Sequence, residues 1–146
     1  MKRIITVIAV GLVATGAWAK DIDWQKNYDE AVAKAKKDKK LVMVDVYTDW
    51  CGWCKKLDKD VYSNNDVQEK LGKSFVAMKI NPEENPKNAA LVRQFGSHGF
   101  PHIVFLDGEG KKVAEQVGYP CNHCTSTEAA KLFVHVLEEA AKNIKK

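Results

Sequence analysis

One stretch limits the fold of this chain more than any other. Leu41-Val42-Met43-Val44-Asp45-Val46-Tyr47 is short, β-branched and apolar without alternation. Such a run reads as a central strand covered on both faces, which calls for a sheet with helices on either side. Trp50-Cys51-Gly52-Trp53-Cys54-Lys55-Lys56 follows almost at once, and the next apolar positions, Leu57 and Val61, have helical spacing. The cysteine pair therefore sits at a strand-to-helix junction.

That position has specific chemistry. Free backbone N–H groups and the positive end of the helix dipole favour a thiolate at Cys51. Lys55 and Lys56 add positive charge nearby. A lowered pKa makes Cys51 the expected attacking nucleophile. Cys54 lies about one helical turn on, close enough to displace a partner bound to Cys51. Gly52 and Trp53 shape the loop between them and hence the reduction potential. A structural disulfide or half of a zinc site is the bland alternative, and the flanking strand and helix favour redox use.

The N-terminus reads as an address label. Met1-Lys2-Arg3 is basic, Ile4 to Ala14 is an apolar run broken only by Thr6, and Ala17-Trp18-Ala19 offers a cleavage site. Residues 1–19 are thus expected to be a signal peptide and residues 20–146 a single mature domain. An uncleaved membrane anchor is the alternative. Export implies an oxidising compartment, which in a bacterium is the periplasm, and a chain not embedded in the membrane after cleavage. All four cysteines lie in the mature part, as the pairs Cys51/Cys54 and Cys121/Cys124. Without Lys2 and Arg3, 21 basic residues face 19 acidic ones, a net charge of +2 that calls for no nucleic-acid partner. The composition, 45% hydrophobic and 29% charged, excludes disordered and fibrous classes.

Asn27, with Glu30 placed to reach back, opens a leading helix with the stripe Tyr28, Ala31, Val32 and Ala35. A helix from about Cys51 to Tyr62 follows the first strand, then a short one capped around Asn65. Phe75 to Ile80 reads as a second strand and Asn88 to Phe95 as a helix. Ile103 to Leu106 and Lys112 to Val117 form a hairpin about Asp107-Gly108-Glu109-Gly110. The last helix runs from about Thr127 to Asn143, with Ala129, Leu132, Phe133, Val136, Leu137 and Ala140 on one face. Thr125 and Glu128 have capping-box spacing. The fold class is α/β, a central mixed sheet flanked by helices.

From about Asp23 to Asn143 the chain resembles the thioredoxin family. The likeness rests on Trp50 to Lys55, Val44-Asp45-Val46-Tyr47, Lys79-Ile80-Asn81, Gly99-Phe100-Pro101, the hairpin strands and Val117-Gly118. It is greatest to exported or membrane-associated thioredoxin-like proteins with this active-site sequence. The resemblance implies a thioredoxin-like fold and a redox-active Cys51–Cys54 disulfide, with no organic cofactor and no metal. Asp45 matches the buried carboxylate beneath the second cysteine; independently, an acid inside an apolar strand has a raised pKa and suits proton transfer at Cys54. Lys79 matches the lysine paired with that carboxylate, although a snorkelling lysine would look the same. Pro101 matches the family's cis-proline; cis X-Pro bonds are only about one in twenty, so composition alone reads it as trans. Trp50 and Gly118 match residues lining the substrate groove, which Gly52, Trp53, Phe100 and Pro101 also border. Trp53 and Phe100 depart from thioredoxin itself, so its potential does not transfer. His102 follows the proline and either influences Cys51 or points elsewhere. His98 and His135 read as solvated.

Tyr119-Pro120-Cys121-Asn122-His123-Cys124 looks like an insertion before the last helix. Cys121 and Cys124 admit three readings: a structural disulfide, a second redox pair, or a metal site with His123. Three ligands packed into four residues argue against tetrahedral zinc. Thr125, where a haem attachment would need His, argues against haem.

The resemblance implies a periplasmic thiol–disulfide oxidoreductase that reduces substrate-protein disulfides, supplied by a membrane electron donor. The alternatives are a disulfide oxidant or isomerase, or a non-catalytic metal-binding module built on the second pair.

Overall fold

The computed structural model describes residues 21–144, so the expected signal peptide lies outside the described residues. Strand β1 (Leu41–Val46) is fully buried. It pairs in parallel with β2 (Phe75–Ile80) and antiparallel with β3 (His102–Leu106), which pairs antiparallel with β4 (Lys112–Val117). The four-stranded sheet therefore has the order β2-β1-β3-β4. β1 is central, as its apolar composition requires.

Side chains alternate across a strand, so β1 serves two cores. Leu41 and Met43 join Ile103 and Phe105 on the face covered by α2 (Gly52–Leu57), α3 (Asn65–Ser74) and α5 (Ser126–Ala141). Val42, Val44 and Val46 join Val104 and Leu106 on the other face, under α1 (Tyr28–Asp38) and α4 (Pro86–Gln94). Asp45 shares its parity with Leu41 and Met43 and so points to the α2 side. In the parallel register Asp45 lies directly beside Lys79.

Several helix ends differ from those the sequence predicts. The helix after the cysteine pair changes at Asp58 into a π-helical turn, Asp58–Tyr62, so Val61 and Tyr62 are both buried although adjacent in sequence. The cap of α3 is Asn64, one residue before the expected Asn65; its side chain accepts from Asp66 and Val67 N–H. Helix α4 starts at Pro86 under an Asn85 cap, since the fixed φ of proline suits a first helical position. On α5, Thr125 and Glu128 form the capping box. Leu132 does not join the buried stripe: it is exposed, and Ala130 is buried in its place. The hairpin turn is held by the Asp107 carboxylate, which accepts from the N–H groups of Glu109 and Lys111. Gly110 supplies the positive φ of 77° that this turn needs.

Candidate active site

Cys51 occupies the N-cap of α2, and its Sγ accepts a hydrogen bond from the Cys54 N–H at 3.1 Å. The two cysteines are joined in a disulfide with a Cα–Cα separation of 5.3 Å. Both are nearly buried, at 5% and 3% exposure. Helix α2 begins here, after β1 has ended, under the Cys51 N-cap. Of the two lysines, Lys56 is paired with Asp60 and lies over the Tyr119 ring, so only part of its charge acts on Cys51.

Aromatic groups rim the disulfide. Trp50 is 67% exposed; its ring meets Phe100 edge-on at 6.0 Å and its Nε1 donates to Glu83 at 2.9 Å. Trp53 is 49% exposed and lies 5.5 Å from the Tyr119 ring. The Phe100–Pro101 bond is cis. Gly118, at φ 76°, donates its N–H to the Pro101 carbonyl at 2.9 Å, tying the end of β4 to the start of β3.

Asp45 is 1% exposed. Lys79 Nζ stands 3.3 Å from Asp45 Oδ2 and 2.5 Å from Asp58 Oδ1, so one ammonium serves two carboxylates. The rings of Trp24, Tyr47 and Tyr62 surround that ammonium at 5.0, 5.0 and 5.6 Å from their centroids. Asp45 Oδ1 and the Tyr62 hydroxyl, both buried, have no hydrogen-bond partner among the described residues. Burial pushes the Asp45 pKa from 3.8 up to about 6; the Lys79 charge opposes the rise and the Asp58 charge adds to it. An acid so placed can hold or release a proton near neutral pH.

His102 does not face the disulfide chemistry. It is buried, its Nδ1 2.6 Å from Ser97 Oγ and its Nε2 3.0 Å from Glu115. Cys121 and Cys124 are joined in a disulfide in the loop between β4 and α5. Among the described residues, no group of three or more His, Cys, Asp or Glu side chains is arranged to hold a metal ion. Sequence reasoning missed Asp58, Tyr119 and Trp24.

Residues 23–108 match the family described as thioredoxin-like. The chain belongs to the thioredoxin-like family. Among curated relatives it is 37% identical over 89 residues to the thiol:disulfide interchange protein DsbD of Klebsiella pneumoniae subsp. pneumoniae, covering 60% of this chain and 14% of that one. It is 35% identical over 89 residues to DsbD of Colwellia psychrerythraea, covering 60% and 15%. The chain thus spans about a seventh of these relatives' length. Among solved structures it is similar to the DsbH oxidoreductase, with TM-score 0.70, 25% identity, and 85% and 87% of the two chains covered. The oxidised C-terminal domain of Neisseria meningitidis DsbD shares the fold, with TM-score 0.61, 21% identity, and 77% and 91% covered. The Cys51–Cys54 C-x-x-C pair lies within the residues that match the family.

Proposed function

We propose that residues 20–146 act as one exported periplasmic domain that reduces protein disulfides through the Cys51/Cys54 dithiol. The observation that carries this is the Cys51–Cys54 pair at the N-terminus of α2, on the sheet face to which the buried Asp45 points. Similarity to DsbH oxidoreductase and to thiol:disulfide interchange proteins supports the chemistry.

In the reductive turn, the Cys51 thiolate attacks one sulfur of a substrate disulfide. That bond breaks, a Cys51–substrate disulfide forms, and the other substrate sulfur leaves as a thiolate that takes a proton. Cys54 then gives its proton to ionised Asp45 through water and attacks Cys51 Sγ. The second substrate thiolate leaves and the Cys51–Cys54 disulfide closes, two electrons having passed to the substrate. Lys79 holds Asp45 in its ionised form. Trp50, Gly52, Trp53, Phe100, Pro101 and Gly118 form the surface on which an extended substrate segment lies. Staying reduced in an oxidising compartment requires a membrane donor that carries electrons across the bilayer.

Insulin reduction by the purified protein tests the reading. It is expected to vanish in Cys51→Ser, and retention of full activity in that variant would overturn it. A thiol titration decides direction: a midpoint near about −270 mV marks a reductant and one near about −120 mV a disulfide donor. Intact mass of the exported protein should correspond to a chain beginning at Lys20; a retained Met1 refutes cleavage.

A further inference from the structure

The second disulfide is poorly placed to be a staple. Closing a loop this short removes little disorder from the unfolded chain. Both ends of the loop are also fastened without it. At the front, Gly118 is hydrogen-bonded to Pro101 at 2.9 Å, and at the back Thr125 and Glu128 form the capping box of α5.

It is well placed to react. Cys121 and Cys124 are half-buried and flank the exposed residues Asn122 and His123, whereas Cys51 and Cys54 are nearly buried. A thiolate must approach a disulfide sulfur directly, so access favours the second pair.

The same loop also touches the active-site helix. Tyr119, two residues before Cys121, lies against Trp53 at 5.5 Å and beneath Lys56 Nζ at 5.1 Å. Its hydroxyl donates to Asp60 at 3.0 Å. All three partners belong to the segment from Trp53 to Asp60, which carries Cys54. Tyr119 thus joins the Cys121–Cys124 loop to Trp53, the residue just before Cys54.

We propose that Cys121–Cys124 is a second thiol-exchange site, open to an external thiol reductant, and that Tyr119 conveys its state to the Cys51–Cys54 centre. The external thiolate attacks one sulfur of the pair, that S–S bond breaks, and a mixed disulfide forms while the other cysteine leaves as a thiolate. A second reductant thiolate then displaces the first cysteine. The products are one oxidised reductant disulfide and the Cys121/Cys124 dithiol, with two electrons transferred. Because coupling is reciprocal, the oxidation state of either pair shifts the equilibrium of the other. The coupling rests on the proposed Cys51/Cys54 dithiol function; the exchange does not.

The test uses graded mixtures of reduced and oxidised glutathione, followed by alkylation and intact mass. In Cys51→Ser/Cys54→Ser protein, Cys121 and Cys124 should both become labelled. Their midpoint should fall within about a hundredfold of that for Cys51–Cys54 measured in Cys121→Ser/Cys124→Ser protein. A second pair still closed where Cys51–Cys54 is fully reduced overturns the exchange.

For the coupling, the Cys51–Cys54 midpoint should differ by about threefold or more between protein with the second pair closed and Cys121→Ser/Cys124→Ser protein. That difference should vanish when Tyr119→Ala is added to both. Equal midpoints without the Tyr119 change overturn the coupling. Tyr119→Phe keeps the ring on Trp53 and loses only the Asp60 bond, so it should shrink the difference; a difference unchanged in both Tyr119 variants overturns the tyrosine's part. Circular dichroism and cooperative urea unfolding establish that each variant is folded. Insulin reduction unaffected by Cys51→Ser would defeat the Cys51/Cys54 reductase function while leaving the exchange measurement intact.

Discussion

Asp45 shows how a buried carboxylate costs stability. Its folded pKa of about 6 exceeds the 3.8 of an ordinary aspartate because burial disfavours the charge. Between those values the folded chain binds more protons than the unfolded one, so stability falls as pH rises through that window. The difference corresponds to about 3 kcal/mol at neutral pH. Asp45→Asn should therefore raise stability by about 2–3 kcal/mol at pH 8 and change it little at pH 4, as read by urea unfolding, while slowing the Cys54 step. Equal gains at both pH values would contradict the account. Asp58→Asn should act in the opposite sense on the acid itself. It removes a negative charge that raises the Asp45 pKa and leaves Lys79 one carboxylate, so the Asp45 titration should move to lower pH by NMR. Asp45 is legible in the sequence because a lone acid in an apolar strand is costly to bury and needs a use to offset that cost. Lys79 is legible only through resemblance, since the register of a parallel pair is set by contacts far apart in the chain. Asp58 reads as one more solvated acid until the fold brings the β2 lysine across to it.

At the level of elements, local chemistry tells most where it is self-contained. The capping box of α5 needs only Thr125 and Glu128, and both are readable from their spacing. Thr125→Ala should cost about 1 kcal/mol in urea unfolding, since the N-cap oxygen satisfies an otherwise unpaired N–H. A loss under a few tenths would mean the loop supplies another acceptor. The π turn is not readable. Leu57 and Val61 suit an unbroken helix, and only packing against α5 reveals that Tyr62 is drawn inward beside Val61. Leu132 fails for a similar reason: helical spacing marks a stripe but not its width, and here the stripe centres on Phe133 and includes Ala130.

Across the whole molecule, the sheet separates two cores, and the reactive edge depends on the one under α5. Phe133 is fully buried and meets the Tyr62 ring edge-on at 5.7 Å, linking the last helix to the π turn beneath the active site. Phe133→Ala should cost about 3–5 kcal/mol, from lost burial and the cavity left behind. Calorimetry or urea unfolding measures it, and a loss below about 1 kcal/mol would mean that α5 shifts to fill the gap. The two cores are largely foreseeable from the strand and helix patterns. The crossing of Lys79, Tyr119 and Asp60 between distant segments is not, because nothing local encodes it.

The indole groups give the molecule an optical consequence. Trp50 immediately precedes Cys51 and Trp53 immediately precedes Cys54, whereas Trp24 lies against the Lys79 ammonium. A disulfide is an efficient quencher of a neighbouring excited indole, and a dithiol is a weaker one. The protein therefore carries its own redox gauge: emission should brighten on reduction and dim as substrate is turned over, with no dye attached.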